Sequence, residues 1–144
     1  AMVLDVSVMS DDTIPVSSLL GYKNLITHLD FAIIKTGWCR RWGKQDYFEG
    51  FPTLSEEAAN WLAAFHLKGV GIDAISVDSV YTVTFPVHKI FFMKNMIVIE
   101  NLTNLDSIGN EMFTFSCMPL KIKDADGSPT RAFGILRTGP ASPY

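Results

Sequence analysis

The chain has 144 residues, a formal charge of −3 at pH 7 and 48% apolar side chains. That is one domain's length with enough apolar material for a core, which excludes a disordered segment. Lys and Arg are scattered, and the local group Lys35, Arg40, Arg41 and Lys44 is too short to argue for nucleic acid.

Met2–Val8 reads as a first strand, with Asp5 inside an apolar segment and no secretory signal around it. Ser10 to Thr13 is turn chemistry, and Pro15 suits the first turn of a helix running towards Tyr22. Phe31 to Gly37 is a second buried strand. From Trp38 to Pro52 runs a loop laden with large side chains, of a kind that carries function or an interface as readily as it caps a core. In Thr53-Leu54-Ser55-Glu56 either Thr53 or Ser55 can cap the next helix, which places Leu54, Ala58, Trp61, Leu62 and Phe65 on one face. His66 falls in its last turn, where a cation is favoured, and Gly69 can end it.

Val70 to Ser76 is a third strand, so a strand–helix–strand crossover and a partly parallel sheet are expected. Asp73 and Asp78 flank its end, where ligands of open α/β sheets gather, although a structural hydrogen bond is the ordinary role of each. Ile97-Val98-Ile99 is β-branched throughout and reads as a covered strand ending on Glu100. Phe113–Ile122 and Arg131–Leu136 form a hairpin across Asp124 to Pro129, and 137–144 is a loose tail. The whole, 1–144, is one α/β domain: a mixed β-sheet with flanking helices.

No stretch is long enough to span a membrane, since Ile90 to Ile99 is cut by Lys94 and Asn95. Two cysteines, Cys39 and Cys117, fit a reducing interior, which with the missing signal points to the cytoplasm. Gly-rich phosphate loops, Cys-x-x-Cys, His-Glu-x-x-His and Gly-x-Ser-x-Gly are all absent. The polar groups best suited to chemistry are His88 and Glu100, each set against an apolar run. Glu100 is either solvated at the sheet rim or held by a partner, because an unpaired buried carboxylate costs several kcal/mol. Spacing alone does not bring the two together.

The blocks FAIIKTGWCRRWG (31–43), FPTLSEEAANWLA (51–63), GVGIDAISVDS (69–79), FPVHKIFF (85–92), IVIENLTNL (97–105) and FTFSCMPLKIKDADGSPTRAFGIL (113–136) occur in this order. In them the chain resembles the cyclase family of metal-dependent amide hydrolases, which includes bacterial kynurenine formamidases and isatin hydrolases. The resemblance implies a swivelling β/β/α-like fold, and it makes His88 and Glu100 two ligands of a divalent metal, zinc or manganese. It also implies a small aromatic amide as substrate, such as N-formylkynurenine or a related cyclic amide. Trp38 and Trp42 are candidates to wall such a substrate or to meet a neighbouring subunit. The family's main motif, H-x-G-T-H-x-D-x-P-x-H, belongs to an N-terminal part and has no match here. Thr27-His28-Leu29-Asp30 mimics its core but lacks the flanking His, Gly and Pro, and is a decoy. The expectation is therefore the C-terminal portion of such a hydrolase, inactive alone and paired as a homo-oligomer or with a missing N-terminal half. The alternative is a non-catalytic domain kept for binding or assembly.

Overall fold

The computed structural model describes residues 1–8 and 11–136; the tail expected at 137–144 lies outside the described residues. Four apolar runs form one parallel sheet: β1 (Met2–Asp5), β3 (Phe31–Lys35), β5 (Gly69–Ile72) and β6 (Ile97–Ile99), in spatial order β1-β3-β5-β6. Between them lie a short parallel pair, β2 (Thr13–Ile14) with β4 (Thr53–Leu54), and a separate antiparallel hairpin, β7 (Thr114–Pro119) with β8 (Thr130–Ile135). Among the described residues three α-helices complete the set: α1 (Lys23–Ile26), α2 (Glu56–Ala63) and α3 (Pro86–Phe92). Parallel and antiparallel pairing thus both occur, in separate sheets.

Continuous apolar strands are what a sheet covered on both faces requires. Met2, Leu4, Ala32, Ile34, Val70 and Ile72 point to one face and pack with Leu19, Ile26, Ala58, Leu62 and Phe91. Val3, Ile33 and Ile99 point to the other, where Leu102, Leu105 and Phe113 meet them. On this second face β5 presents only Gly69 and Gly71. A Cβ on Gly69 would stand 2.6 Å from the Ile97 carbonyl oxygen, so the space above it belongs to its neighbours, Phe31 and Ile97.

Ser55, rather than Thr53, caps α2: its hydroxyl accepts the Ala58 N–H at 3.0 Å, while Thr53 and Leu54 are drawn into β4. α2 buries Ala58, Ala59, Leu62 and Ala63 and leaves Trp61 and Phe65 edge to face at its side. It stops at Ala63, so His66 is an exposed loop residue rather than part of a last turn, and Gly69 opens β5 rather than ending a helix. The helix expected after Pro15 is instead two 3₁₀ turns, Val16–Ser18 and Leu20–Tyr22, running into α1. Two serines and Gly21 in that stretch favour such turns over a continuous α-helix.

The hairpin stands on the second face through its base, where Phe115 meets the Phe31 ring at 5.2 Å and Phe113 lies beside it. Its far part is apolar and uncovered: Met118 is 62% exposed, Leu120 61% and Ile135 56%.

The packing above Gly69 yields a direct test. Gly69→Ala forces a methyl onto a backbone oxygen and is expected to destabilise by about 1–3 kcal/mol. Gly127→Ala, with open space around it, is expected to change stability by less than about 0.5 kcal/mol. Urea denaturation of both variants would check the contrast, and equal effects would refute it.

Candidate functional site

The carboxyl ends of the four parallel strands lie along one edge, and the chain's buried acids gather there. Asp5 closes β1 and pairs with Lys35 of β3 at 2.8 Å; Lys35 also reaches Asp106 at 2.6 Å. Burial pushes the Asp5 carboxyl up, but hydrogen bonds from Lys35 and Ser7 outweigh it and bring it down to about 2. Asp73, just past β5, is fully buried. It accepts the Thr36 N–H, the Thr36 hydroxyl and the Gly37 N–H at 2.6–2.8 Å, with Gly37 at φ +82°. It is a clamp on the turn after β3, which is the structural role expected of it.

Asp78 does more than that. Its carboxylate sits at the start of α3, where Oδ1 accepts the Val87 N–H and Oδ2 the His88 N–H, each at 3.0 Å. Oδ2 also lies 2.8 Å from His88 Nδ1. The other ring nitrogen, His88 Nε2, stands 3.3 Å from Glu100 Oε1. Glu100 in turn accepts the Val77 N–H at 3.0 Å, and the Val77 carbonyl accepts the Leu54 N–H of β4. One two-residue step, Val77-Asp78, therefore fixes both side chains. His88 and Glu100, twelve residues apart in the chain, do meet.

The helix carrying His88 begins on Phe85 at φ +48°, a conformation that costs a bulky residue of order 1–3 kcal/mol. Pro86 at the first helical position and the Asp78 carboxylate on the exposed N–H groups of Val87 and His88 help to hold it. The Phe85 and Phe92 rings flank the imidazole at 6.0 and 5.6 Å. The nearby Glu100 carboxylate raises the His88 pKa, burial opposes it, and Asp78 adds to the rise.

Trp38 and Trp42 have different surroundings. Trp38 is packed inside, donating from Nε1 to the Tyr47 carbonyl at 2.9 Å, with Arg41 over its ring at 4.4 Å. Trp42 is 70% exposed and lies edge to face against Tyr47 at 5.1 Å. Tyr47, a member of the large-side-chain loop but not one of the expected site residues, donates its hydroxyl to Asn101 Oδ1 at 2.7 Å, next in the chain to Glu100. A cleft lined by Trp42, Lys44, Gln45, Tyr47 and Phe48 opens on this side.

Thr27-His28-Leu29-Asp30 lies at the opposite end of the sheet, ahead of β3. His28 is exposed, and Asp30 pairs with Lys68 at 2.9 Å just before β5. Its separation from His88 and Glu100 agrees with its reading as a decoy. Burial pushes both thiols, Cys39 and Cys117, up, and neither is disulfide-bonded. Among the described residues no group of three or more His, Cys, Asp and Glu side chains is arranged to hold a metal ion, and no helix is long and apolar enough to cross a membrane.

Residues 1–79 match the family model Cyclase, described as "Putative cyclase". The chain belongs to the cyclase family. Kynurenine formamidase of Bacillus cereus is 32% identical over 91 residues, covering 62% of this chain and 43% of the relative. A structure described as a potential metal-dependent hydrolase with cyclase activity superposes with a TM-score of 0.74 at 26% identity, covering 92% of this chain and 62% of the other. An isatin hydrolase bound to the product analogue thioisatinate gives a TM-score of 0.81 at 22% identity, over 95% of this chain and 59% of that one, a likeness of fold. The chain spans about half the length of the curated relatives it matches.

The paired contacts on His88 give this cyclase-family chain one source of pH-dependent stability. A raised folded-state pKa contributes stability that is fully present below the ordinary value of 6.5 and is lost as pH rises through the folded value. Stability of the metal-free chain is therefore expected to fall as pH rises above 6.5, and His88→Gln to flatten that slope. Denaturant titrations at several pH values would check it; a slope unchanged in His88→Gln would overturn it.

Proposed function

We propose that this chain forms the C-terminal portion of a metal-dependent amide hydrolase, with His88 Nε2 and Glu100 Oε1 as two ligands of one divalent ion, zinc or manganese. The observation that carries this reading is their approach at 3.3 Å. Two ligands at bonding distance from one tetrahedral ion stand roughly 3.3 Å apart, and an imidazole with a carboxylate is a donor pair suited to zinc. A catalytic site needs about three protein ligands and an open position, so the remaining donors come from residues outside this set. A bound ion would supply Lewis-acid activation of a water and of the amide carbonyl.

The chain's own residues hold and shape the site. Glu100 is oriented by the Val77 N–H, and His88 rides on the first turn of α3. Tyr47, tied to Asn101, and Trp42 against it offer an aromatic wall on the Glu100 side. That wall fits an N-formyl arylamine or a cyclic aryl amide, the substrate class that agrees with the names of the relatives. On its own the chain is inactive, and its place is the cytoplasm.

The uncovered hairpin favours a partner, because exposed apolar patches of this kind mark interfaces. We take the partner to be a second copy or the polypeptide that completes the site. A non-catalytic assembly role would use the same surface and leave His88 and Glu100 idle.

Elemental analysis of protein purified without chelator or metal-affinity resin is expected to find zinc or manganese well below one per chain, with no turnover of N-formylkynurenine. Stoichiometric metal with turnover would sink the claim that the chain is inert alone. In zinc titrations Glu100→Gln is expected to weaken binding at least about tenfold, the loss set by one missing ligand. Unchanged affinity would remove Glu100 from the site. Light scattering at tens of micromolar is expected to give a mass above the 16.0 kDa monomer; a clean monomer would count against the hairpin as an interface between copies.

A further inference from the structure

The geometry points to Asp78 as a positioning residue that fixes the His88 tautomer, holding the proton on Nδ1 and leaving Nε2 bare towards Glu100. This rests on the metal-centre reading for its purpose, and its test is independent of that reading.

A neutral imidazole carries one ring proton, and two carboxylates compete for it. Asp78 Oδ2 lies 2.8 Å from Nδ1, while Glu100 Oε1 lies 3.3 Å from Nε2. The Asp78 side chain is 3% exposed against 27% for Glu100. Two backbone N–H groups at 3.0 Å lock the Asp78 carboxylate in place, and no Lys or Arg pairs with it among the described residues. The shorter contact, to the drier and more rigid acceptor, is the stronger charge-assisted bond, so Asp78 takes the proton. A histidine whose far nitrogen is held in this way presents the other as a ligand.

Asparagine at 78 keeps the size of the side chain but supplies one acceptor oxygen and no charge. The Val87 and His88 N–H groups then share that oxygen with the ring, and among the described residues Glu100 becomes the only charged acceptor facing the imidazole. The proton moves to Nε2, where it blocks the lone pair.

The test is nitrogen NMR of the full chain labelled at histidine, free of metal and at a pH where the ring is neutral, with exposed His28 and His66 as internal references. His88 is expected to be protonated at Nδ1 in the native chain and in Glu100→Gln, and mainly at Nε2 in Asp78→Asn. A native chain protonated at Nε2, or a folded Asp78→Asn with the native tautomer, would overturn the proposal. If Asp78→Asn fails to fold, as its backbone amide spectrum would reveal, the native chain and Glu100→Gln still decide it. Zinc titration separates the two readings: with both correct, Asp78→Asn loses about 10–100-fold in affinity. A native Nδ1–H with zinc affinity unchanged in Glu100→Gln would sink the metal reading alone. Zinc binding with an unmoved tautomer in Asp78→Asn would sink the role of Asp78 alone.

Discussion

A carboxylate buried to the degree of Asp78 has to be given partners, and the ones it takes organise the functional edge of the molecule. Its two oxygens accept the first free N–H groups of α3 and the ring of His88. The preceding residue, Val77, holds Glu100 with its N–H and β4 with its carbonyl. Removing one partner of such a buried, bonded charge is costly because the other is left stranded. The same bonds help to hold α3 on a Phe85 that sits in the left-handed region. Local strain, a buried acid and a histidine are thus parts of one constraint.

That constraint sits where the fold can deliver it. In a parallel sheet every strand leaves at the same edge, so residues from four separate places in the chain arrive together. Asp5 ends an apolar strand, Asp73 and Glu100 each follow directly on one, and Asp78 lies a few residues beyond Asp73. The opposite edge collects Asp30 and Lys68, which make an exposed ion pair of the kind that contributes little. The sheet is covered unequally. One face carries α2 and α3, while the other carries a smaller cluster and the foot of a hairpin whose far end is apolar and bare.

Membership of the cyclase family and the approach of His88 to Glu100 both support the chemistry we propose. In a chain that spans about half the length of the relatives it matches, His88 and Glu100 stand side by side with their supports, and Trp42 lies against Tyr47. Among its described residues there is no cluster of three ligands. On the function we propose, such a surface suits assembly with another polypeptide that brings further donors, and the bare hairpin is the apolar area on which assembly would draw.

The sequence by itself determined the apolar strands, the amphipathic face of α2 and the hairpin, and it singled out His88 and Glu100 as candidates, because these rest on local composition, periodicity and family-like blocks. Local rules also explain the misses nearby. Ser55 outcompeted Thr53 as the cap of α2 because β4 claimed Thr53, and His66 fell outside the helix because it ended at Ala63. Only the tertiary structure decided that His88 and Glu100 meet, that Asp78 lies behind the histidine, and that Trp38 is packed inside while Trp42 is exposed. Asp78 carried a signal in its place beyond a buried strand, but its partner lies ten residues away on a helix that the sequence reading had not assigned. Whether a side chain stands beside another across that distance is set by how helices pack on the sheet, and no local pattern encodes that.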